Sequence, residues 1–191
     1  KILCPDDVHN FFPKWRLYRE YCNGMLADMG AHHFDIGQCG MNVDETGPVK
    51  ILPPKKGNLE LRMFYANDVE VVHGRTPEWA GGTIFYGTEG TIWVNRGPWK
   101  SDPENLIADY ETTVNLHQPR SHFDDWIDCI HSGKIPIAPV EAGHRTASLC
   151  QLCNIGYELR RELDWDPKKE QFIDDEEANQ LTDRKRREKW Y

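Results

Sequence analysis

Four side chains capable of acid–base chemistry stand at helical spacing in the first third of the chain. They occupy positions i, i+4, i+7 and i+11 and are Asp28, His32, Asp35 and Cys39. A continuous helix would carry them on one stripe. A carboxylate that accepts a hydrogen bond from one imidazole nitrogen makes the other nitrogen a better base. The spacing indicates a catalytic pair in which Asp28 orients His32, and an ordinary surface pair is the alternative.

His33 follows His32 directly but lies about 100° further around a helix, so the two imidazoles do not readily enter one pocket. Its own stripe contains Leu26, Met29 and Ile36. Histidine and nearby acidic side chains are also common ligands of zinc, manganese or iron. Because no further ligand pair at metal spacing follows, we predict no metal site.

An aromatic, irregular segment precedes these residues and contains Trp15, Arg16 and Tyr18. Aromatic faces pack on the C–H surfaces of sugars and polyols, and a guanidinium donates hydrogen bonds to hydroxyls. These three side chains are therefore candidates for substrate binding, with burial in the core as the alternative. His33 is a further candidate for substrate binding.

The composition limits the classes of protein to which this chain can belong. The chain has 191 residues, 39% of them hydrophobic, and a net charge of −8. This length suits one domain, and the negative charge argues against a nucleic-acid partner. No apolar stretch approaches the roughly 18 residues that span a bilayer. The compartment, cytoplasmic or periplasmic, stays open because any leader would lie before Lys1.

The six cysteines are too scattered for a disulfide scaffold, and we expect free thiols. The pair Cys150 and Cys153 has the spacing of a redox dithiol but lies inside a predicted helix, away from its N-terminus. Buried packing is the preferred interpretation of this pair.

Pattern analysis predicts a first helix from Gly24 to a C-cap at Gly40. Short strands separated by turn-forming residues follow it: Pro48–Pro54, Leu59–Ala66, Val69–His73, Gly82–Tyr86 and Thr91–Asn95. A tight hairpin at Gly87–Gly90 joins the last two strands. A loop through Pro98 and Pro103 comes next.

Two helices complete the pattern. The first covers about residues 121–132, with Ser121 as N-cap and an apolar stripe that we expect to face the core: Phe123, Trp126, Ile127 and Ile130. The second covers Val140–Leu163 and is broken by Trp165-Asp166-Pro167. Strands followed by helices predict an α+β domain, a mainly antiparallel open β-sheet with helices packed on one face.

We place this domain at residues 1–165 and a charged tail packed on it at residues 166–191. The tail contains a predicted short helix at about Asp175–Leu181 and a basic run, Arg184–Arg187, which nearby acids neutralise.

Several of these segments resemble the Gfo/Idh/MocA oxidoreductases. Trp15-Arg16 and the run from Asn23 to Asp35 are similar to that family's G-G-x-x-x-D-x-G-x-H-x-x-D signature, and Gly87–Gly90 is similar to its Gly-Thr-x-Gly hairpin. The segment from Phe123 to Arg187 resembles the C-terminal end of the bacterial-type branch. Two positions depart from the pattern: Asn23 replaces the first glycine, and Cys39 stands where an aromatic is common.

The resemblance implies the substrate-binding and catalytic domain of an NAD(P)-dependent dehydrogenase that acts on a hydroxyl or keto group of a sugar, polyol or glycoside. It implies that His32 is the acid–base group and Asp28 its neighbour. NAD or NADP would be held mainly by an N-terminal Rossmann domain absent from this chain, which has no glycine-rich strand-to-helix turn.

We also expect a homo-oligomer formed through the open sheet face. Helices cover only one face of the sheet, so strands such as Val69–His73 and Thr91–Asn95 would leave their other face exposed unless a second copy buried it. Two alternatives of other classes remain: a stand-alone carbohydrate-binding or scaffolding domain, and a metal-dependent hydrolase or lyase.

Overall fold

The computed structural model describes residue 16 and residues 18–75, 81–107 and 119–183. Within these ranges the helices are α1 Arg19–Cys22, α2 Gly24–Asp28, α3 Gly30–Met41, α4 His122–Ser132, α5 Val140–Leu159 and α6 Glu176–Gln180. The strands are β1 Lys50–Leu52, β2 Leu61–Phe64, β3 Glu70–His73, β4 Thr83–Tyr86, β5 Thr91–Val94, β6 Trp99–Asp102, β7 Leu163–Asp166 and β8 Gln171–Phe172.

The larger sheet contains five antiparallel strands in the order β3-β2-β1-β7-β8. Side chains alternate between its faces, and Ile51 pairs with both Met63 and Leu163 on the inner face. Helix α5 packs on β1 and β2, and α3 packs beside α5. The core between these layers is apolar: Phe34, Ile51, Leu61, Met63, Leu149, Leu152, Cys153, Leu163, Trp165, Phe172 and Ala178.

A smaller antiparallel sheet, in the order β4-β5-β6, packs against α3. The Thr83 hydroxyl of β4 donates a hydrogen bond of 2.7 Å to the His33 carbonyl. Antiparallel sheets with packed helices confirm the predicted α+β class. The division of the strands into two sheets was not predicted.

The first helix differs from its prediction at two points. It is interrupted at Met29, which separates α2 from α3. It also continues beyond Gly40 to Met41, and its C-cap is Asn42, whose φ of 55° is left-handed. A Cβ at Gly40 would lie only 2.4 Å from Cζ of Phe85. The predicted C-cap at Gly40 was therefore wrong, and the glycine instead lets a ring of β4 approach the helix.

The region predicted as a loop through Pro98 and Pro103 contains strand β6. The Asn95 N–H donates a 2.9 Å hydrogen bond to the Pro98 carbonyl. This turn returns the chain antiparallel to β5, where Trp99 pairs with Val94. Sequence patterning missed the strand because an edge strand needs neither apolar alternation nor the absence of flanking prolines.

The predicted end of the long helix at Leu163 was also wrong. Helix α5 ends at Leu159 because Arg160 adopts a left-handed φ of 52°. Leu163 then lies in β7. That strand spans the boundary drawn between residues 165 and 166, and Phe172 and Ala178 of the following segment belong to the same core.

Helix α4 has the predicted cap but not the predicted packing. The Ser121 hydroxyl accepts a 3.1 Å hydrogen bond from the Asp124 N–H. Its apolar stripe, expected in the core, is instead exposed, with 78% of Phe123 and 59% of Trp126 accessible to solvent. Helical periodicity shows that a face is apolar, but it does not show what covers that face.

The interpretation of Cys150 and Cys153 as packing residues is confirmed. Both are buried, and the Cys153 sulfur lies 3.3 Å from the Met63 sulfur. Burial raises the pKa of the Cys150 thiol to about 11 and holds the pKa of Cys153 well above its usual value. The cysteines within the described ranges are all free thiols, and Cys4 lies outside those ranges. None of the described helices is both long and apolar enough to cross a membrane.

Candidate functional site

A cavity of about 300 Å³ opens between α3 and α5. This volume lies at the lower end of small-molecule sites, which measure roughly 300–1,000 Å³. Small side chains on both sides leave the space: Ala27, Ala31, Gly143 and Ala147. The other lining residues carry functional groups: His32, Asp35, Thr146, Cys150 and Gln151.

His32 lies in the first turn of α3 with its side chain exposed at the cavity wall. It makes no hydrogen bond to any described residue. Both ring nitrogens are thus open to a hydroxyl or carbonyl group that enters the cavity, as a general acid or base requires.

Asp28, predicted to orient His32, is paired with Arg16 in the structure. The Arg16 Nη1 lies 2.6 Å from Oδ1 and 2.5 Å from Oδ2 of Asp28, and both side chains are mostly buried. No hydrogen bond joins Asp28 to His32 among the described contacts. Asp28 ends α2 and His32 lies in the first turn of α3, on the two sides of Met29. The orienting role of Asp28 and the substrate-binding role of Arg16 stay predictions.

His33 points towards the smaller sheet. Its Nε2 lies 3.2 Å from Oδ1 of Asn95, the residue after β5, and it does not line the cavity. The predicted divergence of His32 and His33 is therefore confirmed. Tyr18 is exposed and meets the edge of Tyr21 at a centroid distance of 6.3 Å, outside the cavity lining. Trp15 lies outside the described residues, as does the basic run at 184–187.

Asp35 and Cys39, the remaining members of the stripe, have different surroundings. Asp35 lines the cavity and accepts a 3.2 Å hydrogen bond from the Thr146 hydroxyl, which ties α3 to α5. Burial, followed by repulsion from Asp44 and Asp35, raises the pKa of the Cys39 thiol. Cys39 is consequently a poor nucleophile at neutral pH.

Sequence reasoning missed the residues that α5 contributes to the cavity. Gly143, Ala147 and Cys150 stand at i, i+4 and i+7, so one stripe of this helix carries only small side chains. That pattern could have revealed the cavity, since small residues on packed helices leave space between them. Thr146 and Gln151 flank the stripe and add polar groups to the lining.

The departure at Asn23 has a simple structural basis. Asn23 and Gly24 both have left-handed backbones, with φ of 58° and 78°. Asparagine tolerates this conformation better than most residues. Its side-chain amide donates to Oε1 of Gln151 at 2.6 Å, and Asn154 donates to the Asn23 carbonyl at 3.1 Å. These bonds anchor the start of α2 to α5 beside the cavity.

The described residues do not fit a dinucleotide site. Of the described strands, β6 and β8 precede helices, and no glycine stands between either strand and the helix that follows it. The glycine-rich turn that carries a pyrophosphate to a helix N-terminus is thus missing here. Nor do the described ranges contain three His, Cys, Asp or Glu side chains placed to hold a metal ion.

The fold agrees with the comparison to known families. The family model described as "Oxidoreductase family, C-terminal alpha/beta domain" matches residues 3–191. The chain therefore belongs to the Gfo/Idh/MocA oxidoreductase family, as its C-terminal α/β domain. Searches of the curated proteins and of the solved structures each found no match.

Proposed function

We propose that this chain is the substrate-binding and catalytic domain of an NAD(P)-dependent oxidoreductase acting on a hydroxyl or keto group of a sugar, polyol or glycoside. The observation that carries the proposal is His32 on the wall of a small-molecule cavity in an oxidoreductase-family domain. Asp35, Thr146 and Gln151 offer hydrogen-bond donors and acceptors that suit a polyhydroxyl ligand.

In the proposed reaction His32 handles the proton. During oxidation a ring nitrogen takes the proton of the substrate hydroxyl, and during reduction it returns that proton to the carbonyl oxygen. Hydride exchange at the adjacent carbon is the chemistry that a bound nicotinamide supplies. We place NAD or NADP on a separate N-terminal nucleotide-binding domain, because the described residues lack the turn that would hold its pyrophosphate.

The other candidates take supporting roles in this proposal. Arg16 neutralises Asp28 and fixes the end of α2, directly before the helix that carries His32. Trp15, Tyr18 and His33 stay candidates for substrate contact. We further propose that the protein self-associates through the outer face of the five-stranded sheet.

The central test is His32→Ala in the intact oxidoreductase expressed from its full reading frame. We expect kcat to fall by about 10²–10⁴, the usual contribution of general acid–base catalysis. Affinity for NAD or NADP should stay nearly unchanged, because His32 binds no part of the pyrophosphate. Steady-state kinetics and cofactor titration measure the two effects.

His33→Ala is the matched control, since the neighbouring imidazole bonds to Asn95 instead of lining the cavity. It should alter stability or KM more than kcat. An inactive His33→Ala beside an active His32→Ala would overturn the assignment. A full reading frame without a nucleotide-binding domain would contradict the proposed cofactor use and favour a stand-alone carbohydrate-binding domain.

A further inference from the structure

The two ends of the Gln151 side-chain amide have different surroundings. Gln151 lies on α5 and lines the cavity that contains His32. Its Oε1 accepts a 2.6 Å hydrogen bond from Nδ2 of Asn23, a residue outside the cavity lining. Its Nε2 makes no hydrogen bond within the described part of the chain, yet it is not buried. The end of this amide that is left for a ligand is therefore the nitrogen, which only donates.

Asn23 fixes which end of the Gln151 amide is left free. The backbone of Asn23 is itself held in place, because Asn154 donates a 3.1 Å hydrogen bond to its carbonyl. If the Gln151 amide flipped, two N–H groups would face each other and the bond to Asn23 would be lost. A glycine at position 23, as in the Gfo/Idh/MocA signature, has no side chain that could make this bond. Gln151 is thus preorganised as a donor.

The other polar side chains of the lining supply acceptors. The Thr146 hydroxyl donates its proton to Asp35 at 3.2 Å, which leaves the oxygens of both residues as acceptors. Apart from the His32 imidazole and the weak Cys150 thiol, Gln151 is then the side chain of the described lining with a proton left to donate. A hydroxyl-rich ligand both donates and accepts, so it can satisfy this mixed set of groups.

We propose that Gln151 determines substrate specificity and that Asn23 is its positioning residue. Nε2 of Gln151 donates a hydrogen bond to a hydroxyl, carbonyl or ring oxygen of an uncharged sugar, polyol or glycoside. No lysine or arginine stands among the described lining residues, so the lining offers no permanent cation for a phosphate or carboxylate group. The inference rests on the proposed function, because it concerns the substrate of the His32 cavity.

Two variants of the intact oxidoreductase replace this donor with an acceptor. Gln151→Glu keeps one oxygen for Asn23 and puts the other where Nε2 stood. Asn23→Asp offers only acceptors, so the Gln151 amide must flip and present Oε1 to the ligand. Each variant should raise KM by about ten-fold or more. The value of kcat should change by less than about three-fold, since the bond is made equally in the ground state and the transition state.

The probes for these kinetics are an aldose, an alditol and a glycoside: D-glucose, D-glucitol and methyl β-D-glucopyranoside. The matched control is Asn154→Ala, which removes the other hydrogen bond between Asn23 and α5 but leaves the cavity lining unchanged. It should lower the stability of the protein with little effect on KM. An unchanged KM in Gln151→Glu or Asn23→Asp would overturn the proposal. An equal rise of KM in Asn154→Ala would also overturn it, because anchoring of α2 would then explain the effect.

NMR of the intact protein tests the orientation of the amide without substrate. The side-chain signals of Gln151 are identified by their loss in Gln151→Glu, and their exchange with water is measured. Both Nε2 protons should exchange rapidly in the wild type, whereas one should become protected in Asn23→Asp because it then donates to the carboxylate. Protected Nε2 protons in the wild type would overturn the proposal.

The amide measurement needs no turnover, so the two proposals can fail separately. Rapid exchange at Gln151 combined with a fully active His32→Ala would reject the proposed function alone. Protected Gln151 protons combined with a strongly impaired His32→Ala would reject the role of Gln151 alone.

Discussion

The mostly buried carboxylate of Asp28 forms an ion pair with the guanidinium of Arg16, and we expect this pair to stabilise the folded protein. We predict that Asp28→Asn lowers the free energy of unfolding by roughly 1–3 kcal/mol, because Arg16 then loses its charged acceptor. Urea denaturation measures the change. The matched control is Asp164→Asn, whose carboxylate lies 3.4 Å from Lys50 but is exposed. It should cost about 0.5 kcal/mol or less, and equal losses in both variants would argue against an anchoring role for Arg16.

His73 links stability to pH. Nδ1 of His73 lies at hydrogen-bond distance, 2.6 Å, from the Tyr157 hydroxyl oxygen, which also lies 3.0 Å from the Leu59 carbonyl oxygen. Burial lowers the pKa of His73 below its usual 6.5. The unfolded chain therefore binds a proton at His73 more readily than the folded chain does. The free energy of unfolding consequently decreases as the pH falls through the usual pKa of histidine.

We predict that the free energy of unfolding decreases between about pH 7 and about pH 5, and that it decreases less in His73→Gln. Urea titrations at the two pH values measure both slopes. The comparison between proteins removes the contributions of the other histidines. Parallel pH profiles for the two proteins would show that His73 titrates alike in both states.

Helix α3 packs so closely on β4 that no space is left for a methyl group at Gly40. Gly40→Ala places a Cβ 2.4 Å from the Phe85 ring. We expect a loss of about 1–3 kcal/mol from this overpacking, which exceeds the gain in helix propensity. Thermal or urea denaturation measures the loss.

Gly37→Ala is the control in the same helix. Its Cβ would meet nothing closer than Cγ2 of Thr83 at 3.7 Å, an ordinary contact. The variant should stabilise the protein by roughly 0.5–1 kcal/mol through helix propensity alone. A Gly40→Ala protein as stable as Gly37→Ala would show that the Phe85 ring moves aside freely.

For the whole molecule, the outer face of the five-stranded sheet combines apolar and charged rows. Leu52, Arg62 and Val72 lie side by side across β1, β2 and β3, and Lys50, Phe64 and Glu70 form the next row. Arg62 pairs with Glu70 on this face. Such a mixed surface is compatible with a symmetric contact between two copies.

We predict that the intact protein self-associates and that Val72→Glu weakens the dimer by about ten-fold or more, because a carboxylate would be placed in a partly apolar contact. Sedimentation velocity over a range of concentrations measures the dissociation constant. Val140→Glu, at the exposed start of α5, is the comparison and should leave the dimer intact. The reverse pattern would place the contact between copies beside Val140.

Features that depend on a few neighbouring residues could be predicted from the sequence. The Ser121 cap, the Gly87–Gly90 hairpin and the burial of Cys150 and Cys153 within α5 follow from local backbone geometry and periodicity. The order of such motifs along the chain was enough to indicate the family. The candidate His32 also came from local spacing.

Only the tertiary structure decided which distant groups meet. It paired Asp28 with Arg16, inserted β7 beside β1, and brought α5 against α3 to form the cavity around His32. It also left the apolar face of α4 exposed, although the sequence pattern resembled that of a core helix. The physical reason is the distance along the chain over which each effect acts. Helix capping, tight turns and periodicity involve residues within one or two turns of each other. Burial and ion pairing between distant residues depend on which elements pack together.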